Sequence, residues 1–288
     1  MVLRRAIGMD VDLASRPDEW DTVLLWACEA ISAPRGVRAR WRWTLQTFGG
    51  FLERVTAVQP SPPFWMTALA AVVALGVVVY PTSWHLSRGL ITIAHEGGHA
   101  LVALLTRRKL QGIKLHSDTS GVTLTRGRPT GPGMIFTAAA GYVAPSLLGL
   151  GAAWLAAAGY VMILLWTVLV LLVCMLLMIR NVFGVVSLVT IGGAVFALSW
   201  FAKPDIQAIG AQLAVWFLLI GGIRPILELR RKRRQGRAPE SDADQLARLT
   251  PFPGGFFVFL FLLISAAALV VGAYLMTPID LLDHLTRL

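Results

Sequence analysis

Leu90-Ile91-Thr92-Ile93-Ala94-His95-Glu96-Gly97-Gly98-His99-Ala100-Leu101-Val102-Ala103-Leu104-Leu105 is the stretch on which the reading of this chain turns. Both ends are apolar, and the centre carries three ionisable side chains within five residues. On a helix, positions i and i+4 share a face, so the imidazoles of His95 and His99 can bind one metal ion. Glu96, next to the first imidazole, can then reach a water at that metal as general base. Zinc suits the pair because it accepts nitrogen ligands and brings the pKa of bound water to about 7. Ionisable groups inside an apolar span are costly and mark a functional site by default. Gly97 and Gly98 cost about 1 kcal/mol each against Ala in a helix, and close packing through small residues is their simplest use.

Outward from this stretch the chain stays apolar. Of 288 residues, 56% are hydrophobic and only 15% are charged, against about 25% charged in soluble domains. That composition excludes a soluble enzyme domain as first reading, and it excludes intrinsic disorder. Seven apolar blocks are expected as helices: 64–80, 86–106, 133–157, 160–179, 182–201, 207–229 and 255–276. Blocks of this length can cross a hydrocarbon core of about 30 Å. The expected fold class is an all-α polytopic membrane protein of about seven apolar helices, six to seven of them spanning. Residues 1–60 form a polar N-terminal arm, 61–276 the membrane domain, and 277–288 a short tail. Within the arm, Asp21 to Ile31 reads as an amphipathic helix, and Arg35–Arg42 with Trp41 and Trp43 reads as interfacial or as a solvated basic loop.

The net charge is +10. Basic loops held on the cytoplasmic side account for it better than nucleic-acid binding does, since no aromatic-rich basic platform is present. With a cytoplasmic N-terminus, the inner side holds eight Lys/Arg in the arm, six between 107 and 128, Arg180, and eight between 224 and 248. Only Arg88, Lys203 and Arg287 fall outside, a split of 23 to 3 that places the C-terminus outside. Between blocks two and three, Lys109–Arg126 alternates apolar and polar residues on both sides of an Asp/Ser/Gly turn, which predicts a β-hairpin. The two cysteines, Cys28 and Cys174, make neither a disulfide framework nor a metal pair.

Four pieces of sequence carry a resemblance: His95–His99; Ala140-Gly141-Tyr142-Val143-Ala144-Pro145; Arg180-Asn181-Val182-Phe183-Gly184; and Ser241-Asp242-Ala243-Asp244-Gln245-Leu246-Ala247. An HExxH motif on a membrane helix, then a hairpin, then a Gly-rich apolar helix, resembles the site-2 protease family of intramembrane zinc metallopeptidases, in its compact bacterial branch. The resemblance covers about residues 86–270, and the first piece is the most specific. It implies a zinc metalloprotease that hydrolyses peptide bonds of membrane-embedded substrates through a zinc-activated water. The bilayer and a membrane protein or peptide are then its partners, and nucleic acid is not.

A catalytic zinc site needs about three protein ligands and an open position. The family takes its third ligand from an Asp-Gly-containing motif on a later helix, which this sequence lacks. Asp242 is the expected third ligand, being a carboxylate; Asn181, which opens the fifth block, is the alternative. Asp242 has a structural reading too, because Ser241 and Asp244 form a capping-box-like helix start. The basic segment 230–253 could partly re-enter the membrane to bring Asp242 to the imidazoles, along an irregular path favoured by Pro239, Pro251 and Pro253. Arg224 and Glu228, spaced i and i+4, read as a local ion pair, and Arg230–Arg234 as an anchor near anionic lipid. A metal-binding but non-proteolytic membrane protein, a scaffold or transporter-like module, is the rival reading.

Overall fold

The computed structural model describes residues 49–236 and 240–277. The amphipathic stretch 21–31, the basic arm 35–42 and the tail beyond 277 lie outside the described residues. The chain divides into two compact units, 1–54 and 55–288. Of the first, residues 49–54 are described and are helical.

All seven apolar blocks of the second unit are helices. In chain order they are α1 (Phe64–Val79), α2 (Pro81–Leu105), α3 (Pro132–Ala157), α4 (Val161–Met178), α5 (Val182–Phe201) and α6 (Pro204–Gly221), then two further helices, α7 (Ile223–Arg234) and α8 (Asp242–Leu249), and last α9 (Gly254–Met276). The expected hairpin, β1 (Lys109–Leu115) and β2 (Gly121–Arg126), sits between α2 and α3. Prolines set several starts: Pro81, Pro132 and Pro204 each open a helix, where their missing N–H costs nothing. Pro81 therefore starts α2 five residues ahead of the expected block.

Among the described residues, five helices are long and apolar enough to cross a membrane. The pair α1 and α2 passes together, bent by 101° at Tyr80–Pro81. The expected six to seven spans thus become five or six. The expected sixth block is one 31-residue stretch, Pro204–Arg234, with a turn at Gly222. Pro225 lies just past this turn; it cannot donate to the Gly221 carbonyl, and its ring crowds that carbonyl. The segment 230–253, expected to be irregular, instead continues as helix to Arg234 and contains the regular helix α8.

Three of the apolar clusters among the described residues bear on the site and its supports. Ala153, Leu164, Leu165, Ala211, Val215, Leu219 and Ala268 join α3, α4, α6 and α9. Ala138, Ile226, Leu229, Ala243, Leu246 and Phe261 join α3, α7, α8 and α9. Ile93, Ala100, Ile113, Leu115, Met175 and Leu188 join α2, β1, α4 and α5. The third cluster shows why the hairpin lies against the bundle: the inward residues Ile113 and Leu115 are almost wholly buried. The sheet is antiparallel, pairing Leu110 with Thr125 and Ile113 with Thr123, with an irregularity between Leu110 and Gly112. The outer edge of β1 is partly taken, by a bridge from Ile113 to Ile179 and the Arg180 N–H to the Ile113 carbonyl at 2.9 Å. Among the described residues, no strand pairs with the outer edge of β2.

Helices α2 and α3 touch where both lack bulk. A Cβ on Gly98 would stand 2.4 Å from the Ala144 Cβ and 3.0 Å from the Ala140 carbonyl oxygen, so this contact is available to glycine alone. Gly151, also on α3, has open space at the same position. Gly98→Ala should therefore destabilise the protein by about 1–3 kcal/mol through overpacking. Gly151→Ala should leave stability unchanged or raise it by up to about 1 kcal/mol through helix propensity. Thermal unfolding of the detergent-solubilised variants checks the pair; equal behaviour would show that the α2–α3 contact is looser than described.

Candidate metal centre

The i, i+4 spacing does bring the two imidazoles of α2 together: the His95 and His99 Nε2 atoms are 3.1 Å apart. The third corner comes from α8. Asp242 Oδ2 lies 3.3 Å from His95 Nε2 and 3.2 Å from His99 Nε2. Three donors about 2.0–2.1 Å from a common centre, at tetrahedral angles, stand about 3.3 Å apart. The sides of this triangle match that spacing, and the three residues form a group that could hold a metal ion. Asp242 Oδ2 is buried and accepts no hydrogen bond. A carboxylate oxygen in that position needs a cation or a proton close by.

The orientation of His99 is set from behind. Its Nδ1 lies 2.7 Å from the Thr137 carbonyl oxygen on α3. A carbonyl can only accept, so Nδ1 carries a proton, and Nε2 is the ring nitrogen turned to the triangle, where its lone pair would be available to a metal. His95 is held by ring packing: its imidazole stands edge-on to Tyr142 at 4.8 Å, and Tyr142 stacks on Phe261 of α9 at 5.4 Å. Gly141 makes room for both imidazoles. A Cβ there would stand 2.3 Å from His99 Nε2 and 2.6 Å from His95 Cε1. The run Ala140–Ala144 thus has a role at nearly every residue: Ala140 and Ala144 meet Gly98, Gly141 meets the imidazoles, and Tyr142 braces His95.

Asp242 reaches the site because α8 is docked and capped. Ala243 and Leu246 are fully buried beneath it. The Ser241 hydroxyl donates to Asp244 Oδ2 at 2.6 Å and accepts from the Asp244 N–H at 3.4 Å, as the capping reading expects. Arg233, near the end of α7, binds Asp244 Oδ1 and donates to Ser241 Oγ at 3.3 Å. Partial burial raises the pKa of the Asp244 carboxyl, but the bonds from Ser241 and Arg233 outweigh it and hold the group below the usual carboxylate range. Cap and site are therefore not alternatives for this segment. Ser241 and Asp244 carry the cap, which leaves Asp242 free to face the imidazoles.

Glu96 is buried, and its carboxylate is tied to the hairpin. The Thr123 hydroxyl donates to Glu96 Oε2 at 2.6 Å, and Gly121 packs so close that an added Cβ would stand 2.7 Å from Oε1. The turn end of the hairpin is fastened too: Thr92 Oγ1 donates to the Thr119 carbonyl at 2.7 Å. The hairpin therefore lies along α2 over the residues that carry the motif.

Asn181 is engaged elsewhere. It accepts from the Leu115 N–H at 3.2 Å and donates to the Leu115 carbonyl at 2.5 Å, clamping the end of β1. Its neighbour Arg180 packs over Gly112. Arg224 and Glu228 form the expected pair at 3.3 Å, extended by Trp84, whose indole N–H donates to Glu228 at 3.0 Å. Sequence reasoning missed Thr123, Tyr142, Arg233 and the Thr137 carbonyl. Tyr142 stood inside a quoted motif without a role. A backbone carbonyl leaves no mark on sequence, and Thr123 looked like any outward strand residue.

Comparison with known proteins adds one match: the family described as Peptidase M50B-like aligns with residues 68–272, which include α2, the hairpin and α8. No curated protein and no solved structure matches the chain. The capping arrangement gives a direct check. Ser241→Ala should cost about 1 kcal/mol of local stability, seen as roughly fivefold faster amide hydrogen exchange across α8. Unchanged exchange would mean that burial of Ala243 and Leu246 alone fixes the helix.

Proposed function

The chain belongs to the M50B-like peptidase family, and we propose that it is an intramembrane zinc metalloprotease acting on membrane-embedded substrates. The observation that carries this reading is the triangle of His95, His99 and Asp242, set within an apolar bundle beside the buried carboxylate of Glu96. Two imidazoles and one carboxylate form a donor set that suits zinc. When bound, zinc supplies a Lewis acid for the scissile carbonyl and brings the pKa of water near neutrality. His95 and His99 would hold it through Nε2, and Asp242 through Oδ2. Glu96 takes the proton from the attacking water and later delivers it to the leaving amine.

Helical amides are hydrogen-bonded internally, so a substrate helix must unwind locally before its peptide bond can be attacked. The open edge of β2 fits an unwound segment by strand addition. Thr123 sits on that strand with its hydroxyl on Glu96, so substrate pairing and the general base meet at one residue.

Charge supports a cytoplasmic hairpin: fifteen Lys/Arg fall between 107 and 128, at Arg180, and between 224 and 248. The start of α1 lies with the connections on the opposite side, since the Gln59 N–H donates to the Gly159 carbonyl at 2.9 Å and the Gln59 side chain donates to Gln207 at 3.1 Å. The end of α1 meets Gly221 at the end of α6, and Arg88 stands 3.9 Å from Glu228. The bent pair α1 and α2 therefore carries the chain across once, and Arg88 does not belong to an outer loop.

Three substitutions test the roles. Glu96→Gln should keep its zinc and cleave a membrane-helix reporter at least about a hundredfold more slowly; full activity would remove Glu96 as general base. Asp242→Ala should lose both zinc and cleavage, while Asn181→Ala should keep zinc at wild-type stoichiometry. Metal content by mass spectrometry decides this second comparison, and full zinc in Asp242→Ala would overturn the third-ligand assignment.

A further inference from the structure

Away from the metal centre, a concavity lies between α7 and the first turns of α9. It has a volume of about 470 Å³ and is lined by Arg230, Arg233 and Arg234 on one side and by Val258, Phe259 and Leu262 on the other. A second hollow along α7 also borders Arg230 and Arg234. The arginines differ in what they do. Arg233 is bound to Asp244 and Ser241. Arg230 and Arg234, one helical turn apart, are exposed, and among the described residues no carboxylate pairs with either. Phe259 exposes 62% of its surface on a helix apolar enough to span a membrane.

We propose that this groove binds one anionic phospholipid. The phosphate takes Arg230 and Arg234, whose guanidinium forks suit phosphate oxygens. The acyl chain lies along Val258, Phe259 and Leu262. The occupant is identified by the two chemistries of the groove together. A soluble phosphate would leave the Phe259 wall exposed to water, and a zwitterionic lipid would bring, with its phosphate, a headgroup cation that the arginines repel. The position fits as well. Gly254 and Gly255 open α9 beside the arginines, so the charged end of the groove lies at the helix terminus and the apolar end runs toward the middle of the span. The assignment does not depend on the catalytic reading, since Arg230, Arg234, Val258, Phe259 and Leu262 have no part in the metal centre.

The test uses the full chain in detergent, with native mass spectrometry counting lipids retained from mixed micelles of phosphatidylglycerol and phosphatidylcholine. One phosphatidylglycerol should be retained in preference to phosphatidylcholine. The double variant Arg230→Gln/Arg234→Gln keeps Arg233 and so keeps α8 capped. It should retain phosphatidylglycerol about thirtyfold less, at roughly tenfold per 1.4 kcal/mol and one charge's worth of surface attraction per arginine. Phe259→Ser should also weaken retention, which a purely electrostatic attraction would not do. Equal retention of the two lipids by the wild type would overturn the proposal. So would undiminished retention by the double variant, or full displacement of the lipid by inorganic phosphate or by an acidic peptide at matched charge.

Discussion

Three atoms able to ligate a metal converge inside an apolar bundle: two imidazole nitrogens and a carboxylate oxygen about 3.2 Å from one another, the oxygen without a hydrogen bond. Bringing them together costs free energy through desolvation, and a cation among them offsets that cost. The rest of the structure holds them in place. The Thr137 carbonyl fixes one ring, Tyr142 braces the other, and glycines at 98 and 141 let α3 approach closely enough for both contacts. On the opposite side, Arg233, Ser241 and Asp244 fasten the short helix that brings Asp242.

The same economy of space explains the hairpin. Its inward residues fill the cluster beneath α2, α4 and α5, and its turn and second strand bond to Thr92 and Glu96. Asn181 and Arg180 secure the first strand from the start of α5. One edge of the sheet is thereby partly occupied, and among the described residues no strand pairs with the other.

Much of this was legible in the sequence, for physical reasons that can be named. Apolar blocks near 20 residues in length fixed the helices, and all seven formed. Spacing of four residues put His95 and His99 on one face, and alternation around Asp118-Thr119-Ser120 located the hairpin. Asp242 was picked for its ligand type and because a segment interrupted by prolines could return to the bundle. Two things were not legible. The bend at Tyr80–Pro81 depends on how α1 packs against α6, which no local signal encodes. The path of the 230–253 segment was expected to be irregular, because charge and proline content say nothing about Ala243 and Leu246 as a buried face of one short helix. Capping and ligation also looked like competing roles, whereas neighbouring residues carry them at once.

The most direct measurement is X-ray absorption at the zinc edge on the purified protein. The account predicts one zinc per chain, two imidazole scatterers, and only nitrogen and oxygen neighbours at about 2.0–2.1 Å. A sulfur shell at about 2.3 Å, fewer than two imidazoles, or no bound metal would contradict the assignment of His95, His99 and Asp242 as its ligands.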